Sequence, residues 1–427
     1  MGKLLKSILV AIAVDFVLFP VSFTFLPVNI NSKVIMATFG IAAFVHKCLK
    51  EKSVILAKRT VITAILAVAF SLWCYFSVFS NGTDDMTYVT YWTSFFAWLS
   101  AAYGAITLLK SIEGKTSLSS ISKYLLIVCV AQCIIAILID NFPIVDTLIS
   151  KVFWQATDYY KRIDRLYGIG CALDPAGVRF AAVLLLAGHL IAYNEALKMK
   201  RSTLVYFLLG FIIITIIGSM IARTTSVGAI IAVCYFIFIN ASIKRGGNIT
   251  SRQLWFFALL IGMVLTSILV VSSLYNSSDD ARNLLRFGFE GFFNLFETGE
   301  FQTHSTDILM ENMWIWPNDW RGWMIGYGRY GVFSWGTDIG YCNFTLYCGL
   351  IGFALFSSYF IYANLSMNSK FKNFYLISLL LITLQAIIWA KVATDIFVID
   401  AFLLCVDGDV LEESPAEAQQ SEALQEE

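Results

Sequence analysis

Arginine is the residue type whose distribution in this sequence points most directly to chemistry. The chain has 12 arginines and 18 lysines among its 427 residues. A guanidinium group binds phosphate or carboxylate through two parallel hydrogen bonds, whereas the lysine ammonium is a compact point charge. Eight arginines lie in or beside two long polar stretches, or at the ends of apolar segments: Arg162, Arg165, Arg179, Arg223, Arg282, Arg286, Arg321 and Arg329. We expect this set to bind an anion, most naturally a diphosphate.

Two of these arginines lie at or inside an expected membrane boundary. Placing a charged side chain within the membrane costs free energy, so Arg179 and Arg223 are functional candidates by default. Arg223 also precedes Thr224 and Thr225 at an expected helix start, where free backbone N–H groups favour an anion. The alternative is that single arginines only pair with loop carboxylates or reach towards water.

The stretch 280–301 has helical periodicity. Arg282, Arg286, Glu290 and Glu297 fall on one stripe. A second stripe carries Leu285, Phe289, Phe292 and Phe296. This pattern predicts an amphipathic helix at the outer membrane interface, which either touches lipid or a lipid-like substrate or simply caps the helix bundle.

Composition indicates which elements position these residues. Apolar residues make up 58% of the chain and charged residues only 14%, against roughly 25% charged residues in soluble domains. So few charges cannot cover a surface that faces water, and we predict an all-α, polytopic membrane protein. A formal net charge of zero excludes a basic nucleic-acid-binding protein.

About twelve apolar stretches approach the length of about 20 residues that a membrane-spanning helix needs. They lie near residues 6–27, 34–49, 60–80, 89–110, 123–140, 176–195, 203–221, 224–241, 254–274, 340–366, 373–389 and 391–406. Lysine-rich connections, such as the one with Lys47, Lys50 and Lys52, are typical of cytoplasmic loops. Alternation then places both termini inside and the eight arginines outside.

The domain organisation follows from these spans. We expect one transmembrane domain over residues 1–406, with long outer loops at 141–175 and 275–340. Residues 407–427 are acidic and polar, which is typical of a disordered cytoplasmic tail. The nine cysteines lie mostly within spans and the three histidines form no zinc-like pattern, so we expect neither a disulfide framework, a metal nor a cofactor.

Charged residues inside the last span need a partner. Lys391 and Asp395 are four residues apart, and on a helix such residues share one face and pair. We therefore expect them to neutralise each other and to have a structural role.

Three segments, in their order and their position relative to the spans, resemble the bacterial superfamily of O-antigen polymerases and O-antigen ligases. They are Arg165-Leu-Tyr-Gly-Ile-Gly with Asp174-Pro-Ala-Gly, then Ile221-Ala-Arg-Thr-Thr-Ser-Val-Gly228, then Gly326-Tyr-Gly-Arg-Tyr-Gly with Thr337-Asp-Ile-Gly-Tyr-Cys-Asn-Phe and Gly349-Leu-Ile-Gly. The resemblance covers residues 160–365 by motif and the rest by topology.

This resemblance implies a GT-C-like glycosyltransferase of the bacterial inner membrane whose active site faces the periplasm. Its members transfer a glycan from undecaprenyl diphosphate to a hydroxyl group, without a nucleotide sugar or a metal. The partners implied are the lipid-linked oligosaccharide and the bilayer, and a chain-length regulator is compatible with the resemblance. Arg165, Arg179 and Arg223, with Arg282 or Arg286 and further Arg321, would hold the diphosphate.

The resemblance leaves two candidates for the residue that accepts the proton of the attacking hydroxyl. Many ligases have a histidine at the position that Asp338 occupies here, and the Asp-x-Gly-Tyr form is more similar to the polymerases. We expect Asp338 to be the base, with His304 as the second candidate. Asp338 could instead orient the loop or pair with Arg321 or Arg329.

Two other functions stay open at this level. A ligase would transfer the same glycan to lipid A–core. A twelve-span flippase or carrier would translocate the lipid-linked oligosaccharide, but such transporters usually contain internal repeats and ionisable sites near the membrane midplane. This sequence has no evident two-fold repeat, and its arginines gather at one face.

Overall fold

The computed structural model is built mainly of α-helices. It describes residues 2–27, 29–54, 56–162, 165–193, 201–243, 269, 272–273, 275–276, 279–300 and 302–407. The predicted span 254–274 lies almost entirely outside these residues, as does the predicted tail from residue 408 onwards.

Eighteen α-helices lie in the described part of the chain. The first nine are α1 (Gly2–Leu18), α2 (Ser32–Glu51), α3 (Lys58–Asn81), α4 (Tyr91–Glu113), α5 (Leu118–Asn141), α6 (Pro143–Val152), α7 (Thr157–Arg162), α8 (Leu173–Ala192) and α9 (Arg201–Ile221). The others are α10 (Thr224–Ile243), α11 (Asp279–Gly288), α12 (Glu290–Thr298), α13 (His304–Asn312), α14 (Trp320–Ile325), α15 (Val332–Trp335), α16 (Gly340–Ser366), α17 (Tyr375–Trp389) and α18 (Phe397–Cys405). Strands β1 (Ser22–Phe23) and β2 (Phe153–Trp154) pair antiparallel, with Ser22 opposite Trp154.

Seven of the described helices are long and apolar enough to cross a membrane, namely α2–α5, α8, α9 and α16. Helices α10 and α17 are apolar but shorter. Large apolar side chains also cover much of the outside of the bundle, and Leu72, Phe79 and Tyr206 are each at least 65% exposed. Such a surface is unfavourable in water and favourable in lipid. The protein is therefore membrane-embedded.

Contacts between segments that are distant in sequence show which helix ends lie at the same end of the bundle. At one end of the bundle Lys110 pairs with Asp407 at 2.7 Å, and Lys370 donates to two carbonyl oxygens of α18. At the other end Lys391 pairs with Asp174 at 2.7 Å, and β1 pairs with β2. Each contact joins segments that the predicted alternation of spans places on the same side.

Helix α8 lies at the centre of the bundle because small residues let its neighbours approach closely. A Cβ atom at Gly228 of α10 would lie 2.3 Å from the Cα atom of Ala181 in α8. Such glycine and alanine contacts are typical of closely packed membrane helices. As a result almost every residue of α8 from Ala176 to Ile191 is buried, and its N-terminal end brings Asp174 and Arg179 into the interior.

Helix α16 is kinked at Gly349, whose backbone has φ 66° and ψ −178°. The kink removes intrahelical hydrogen bonds from the preceding carbonyl groups. Side chains of α3 replace them, since the Ser77 hydroxyl donates to the Tyr347 carbonyl at 2.7 Å and the Trp73 indole donates to the Cys348 carbonyl at 2.8 Å. The carbonyl groups that the kink leaves without an intrahelical partner thus accept hydrogen bonds from α3.

The last predicted span, 391–406, is helical only from Phe397, the first residue of α18. Nine helical residues extend about 14 Å, roughly half of the 30 Å hydrocarbon core. Irregular backbone at this depth needs hydrogen-bond partners within the protein. Gln385 supplies two, because its amide donates to the Thr394 carbonyl at 3.0 Å and accepts from the Ile396 N–H at 2.9 Å.

This irregular segment, 390–396, corrects the predicted pairing of Lys391 with Asp395. Without a helical turn between them the two side chains do not share a face. Lys391 pairs instead with Asp174. Asp395 accepts from the Phe397 N–H at 3.0 Å and from the Tyr91 hydroxyl at 3.4 Å.

The stretch 280–301 forms two helices rather than one amphipathic helix, because the backbone breaks at Phe289 between α11 and α12. The break separates the members of the predicted charged stripe. Glu290 pairs with Arg223 at the start of α10, whereas Arg286 pairs with Glu297 across the break.

Candidate functional site

Two arginines meet at the ring of Phe287, near the end of α11. The guanidinium carbons of Arg165 and Arg223 lie 4.6 Å and 4.3 Å from the ring centroid. A cation over an aromatic face is attracted by the ring, and more strongly where water is excluded. Phe287 thus holds two like charges close together, which suits a ligand that carries two negative charges.

Arg223 is fixed by contacts with α11 and α12. Its Nε atom donates to the Phe287 carbonyl at 2.9 Å, and its Nη2 atom lies 2.6 Å from Oε2 of Glu290. Burial lowers the pKa of Arg223, the charge of Glu290 raises it, and the charge of Arg165 lowers it again.

Arg165 is positioned by the buried loop that precedes α8. The side chain of Gln132 in α5 binds this loop twice, accepting from the Ile169 N–H at 2.9 Å and donating to the Ile169 carbonyl at 3.0 Å. A Cβ atom at Gly170 would lie 2.7 Å from the Phe19 carbonyl oxygen, so the loop also packs tightly against the end of α1. The loop that carries Arg165 is therefore held in place by α5 and by the end of α1.

A second ion pair adjoins the arginines. Lys391 lies 2.7 Å from Asp174, and the hydroxyl of Thr224 donates to the same carboxylate at 3.5 Å. The charge of Asp174 also acts on Arg223. With the two arginines and Glu290 this gives three cations and two carboxylates, which leaves an excess of one positive charge.

Four residues of this charged cluster line a pocket of about 280 Å³. Its polar wall contains Arg223, Thr224, Glu290 and Lys391. The apolar wall is formed by α10, α12 and the end of α17, with Val227, Ile230, Ile231, Phe292, Ile387, Ile388 and Val392. A pocket that is cationic on one side and aliphatic on the other suits an anionic head group attached to an apolar chain.

Four of the predicted anion-binding arginines lie apart from this pocket. Arg282 pairs with Asp279 on its own helix, and Arg286 pairs with Glu297. The guanidinium of Arg321 donates to the backbone carbonyl of Ser80 at the end of α3. Arg179 faces other neighbours inside the bundle, with its guanidinium carbon 5.5 Å from the Trp98 ring centroid.

The predicted base, Asp338, is exposed just before α16. Within the described residues its carboxylate makes no ion pair, so the predicted alternatives of pairing with Arg321 or Arg329 are not seen. Its charge acts on Tyr330. Burial is the main cause that raises the pKa of Tyr330, and the charges of Asp395 and Asp338 add to it.

His304 is the first residue of α13, which Thr303 caps by accepting from the Thr306 N–H. Thr303 and Thr306 line the pocket. The backbone of His304 thus lies at the pocket rim, while its side chain is outside the described part of the structure.

Three residues in or beside the pocket were not predicted from the sequence: Phe287, Asp174 and Glu290. Phe287 gives no signal, since it lies outside both predicted stripes. Asp174 belongs to a motif used for the resemblance, but nothing in the sequence pairs it with Lys391, 217 residues away. Glu290 was placed on the surface stripe, and only the break at Phe289 turns it towards Arg223.

Comparisons with protein-family models, with curated proteins and with solved structures give no match.

Proposed function

We propose that this protein is a polysaccharide polymerase of the O-antigen polymerase type. It transfers a glycan from undecaprenyl diphosphate to the terminal sugar hydroxyl of another lipid-linked repeat unit. In this proposal the chain crosses the bacterial inner membrane about twelve times in a GT-C-like arrangement, and the pocket opens to the periplasm.

The observation that supports this proposal most directly is the pocket between α10, α12 and α17. Arg165 and Arg223 converge on Phe287 beside it, and the N-terminal end of α10, with its positive helix dipole, lines it through Thr224. Its aliphatic wall matches a polyprenyl chain, whose apolar surface favours contact with isoleucine and valine side chains.

The chemistry follows from this placement. The acceptor oxygen attacks the anomeric carbon, the bond from that carbon to the phosphate oxygen breaks, and its electron pair stays on the leaving diphosphate. Arg165 and Arg223 stabilise that charge as it develops. The hydroxyl proton goes to a base, for which Asp338 is proposed first and His304 second.

The test is transfer by the purified chain in vesicles that contain lipid-linked repeat units. Arg223→Gln should lower turnover by about 100-fold or more, since loss of one group that stabilises transition-state charge costs that much in other enzymes. Arg282→Gln is the matched control, because that arginine pairs on the surface of α11 and should leave turnover unchanged. Undiminished turnover by Arg223→Gln with intact substrate binding contradicts the role.

Transport is the second candidate, and the irregular segment 390–396 between α17 and α18 favours it. Interrupted membrane helices with charged residues are common in transporter binding sites. Vesicles distinguish the two functions, because a flippase moves the lipid-linked unit across the bilayer without lengthening it. A ligase is separated by the lipopolysaccharide of a deletion strain, which would show bare core rather than core with a single repeat.

A further inference from the structure

A second cationic cluster lies inside the bundle, apart from the pocket. Lys33 of α2 and Arg179 of α8 both face the indole ring of Trp98 in α4. The Lys33 Nζ atom lies 4.6 Å and the Arg179 guanidinium carbon 5.5 Å from the ring centroid. Neither residue lines the pocket.

Asp395 is the carboxylate whose charge acts on both cations. It is not close enough to form an ion pair with either, and within the described residues neither Lys33 nor Arg179 makes a hydrogen bond or an ion pair. Asp395 instead accepts from Tyr91 and from the N–H of Phe397. The cluster therefore has two cations for one carboxylate, with donor atoms left free.

Two like charges inside the helix bundle repel each other and each has lost part of its hydration, so the arrangement is unfavourable as it stands. A bound anion would offset both costs. A lysine point charge and an arginine fork that face the same indole ring are complementary to the several oxygen atoms of a phosphate group. Both residues are half-buried, so each keeps some exposed surface.

We infer that Lys33, Arg179 and Trp98 form a second binding site for a phosphate-type oxyanion, distinct from the pocket at Arg223. The inference does not rest on the proposed glycosyl transfer. The phosphate could belong to a lipid head group or be free in solution, and the two sources are separated below.

The test uses the full chain with Arg165→Gln and Arg223→Gln, which removes the first site, in nanodiscs of phosphatidylcholine. Inorganic pyrophosphate is titrated by calorimetry in one arm, and phosphatidic acid is added to the nanodiscs in the other. We expect one equivalent to bind in at least one arm. Lys33→Met and Arg179→Gln should each weaken that binding at least tenfold, and Lys33→Arg should largely restore it. Lys151→Met, at an exposed lysine of α6, should have no effect.

Absence of binding in both arms, or equal binding by Lys33→Met and Arg179→Gln, overturns the inference. Tight binding of pyrophosphate identifies a soluble source, and binding of phosphatidic acid alone identifies a lipid head group. A different result contradicts the proposed function, namely intact glycan transfer by Arg223→Gln in the otherwise unchanged chain. Size-exclusion profiles of all variants establish that they are folded.

Discussion

Arg223 already binds an anion that the protein itself provides. Glu290 occupies one edge of its guanidinium at 2.6 Å, and both side chains are only about one-fifth exposed. A phosphate group that uses the same edge must displace Glu290 or share the arginine with it. The strength of this internal pair therefore sets how tightly a ligand is held.

Removing the negative charge of Glu290 should strengthen anion binding at the pocket. In Glu290→Gln the amide keeps the size of the side chain but no longer competes as an anion, so affinity for pyrophosphate should rise several-fold, which corresponds to about 1 kcal/mol. Calorimetry in the Arg179→Gln background, which removes the second cluster, measures this directly. Glu297→Gln, which frees only the exposed Arg286, is the control, and weaker binding by Glu290→Gln contradicts the idea.

At the residue scale the sequence identified charged residues but few of their partners. Arginines as a class were singled out, yet of the six assigned to the diphosphate only Arg165 and Arg223 converge on one ring. Spacing along the chain identifies pairs within one helix. It carries no information on a pair such as Lys391 and Asp174, which forms because distant helices pack together.

At the scale of the elements, sequence periodicity could not predict where the helices are interrupted. The apolar residues around 391–406 have the same composition whether the backbone is helical or not. The outcome depends on whether the freed N–H and C=O groups find partners. Gln385 supplies them for segment 390–396, and Ser77 and Trp73 supply them for the kink of α16.

The close packing around the kink at Gly349 predicts that any side chain at this position lowers the stability of the protein. A Cβ atom there would lie 2.3 Å from backbone atoms of Met324, at a positive φ of 66°. Gly349→Ala combines a steric clash with backbone strain, and should lower the free energy of unfolding by more than about 2 kcal/mol.

Gly336→Ala is the matched control, because Gly336 has a similar φ of 72° but open space around it. That variant should lose only about 1 kcal/mol from backbone strain. Thermal unfolding of both variants in the same detergent gives the comparison, and equal losses would show that the contact with Met324 is unimportant.

For the whole molecule, composition predicted a helical membrane protein correctly, because too few charges exist to cover a water-facing surface. The grouping of helix ends agrees with the alternation expected from lysine-rich loops. The pocket could not be predicted, since it is made by α10, α12 and α17 from three separate parts of the chain.

Orientation can be tested at the two ends of α3. In a cysteine-free variant, Lys52→Cys before α3 and Asp84→Cys after it place exposed thiols on opposite sides. A membrane-impermeant maleimide should label only position 84 in cells with a permeabilised outer membrane, and only position 52 in inverted inner-membrane vesicles. Labelling of both positions from one side is incompatible with the proposed topology.

The pairing of Lys391 with Asp174 has a consequence for synthesis of the chain. The two residues are 217 positions apart, so at 5–20 residues per second the ribosome needs roughly 10 to 40 s to supply the lysine after the aspartate. During that interval α8 has already left the ribosome with a carboxylate that has no lysine partner. The nascent protein must therefore tolerate Asp174 without its lysine until the segment that follows α17 has been made.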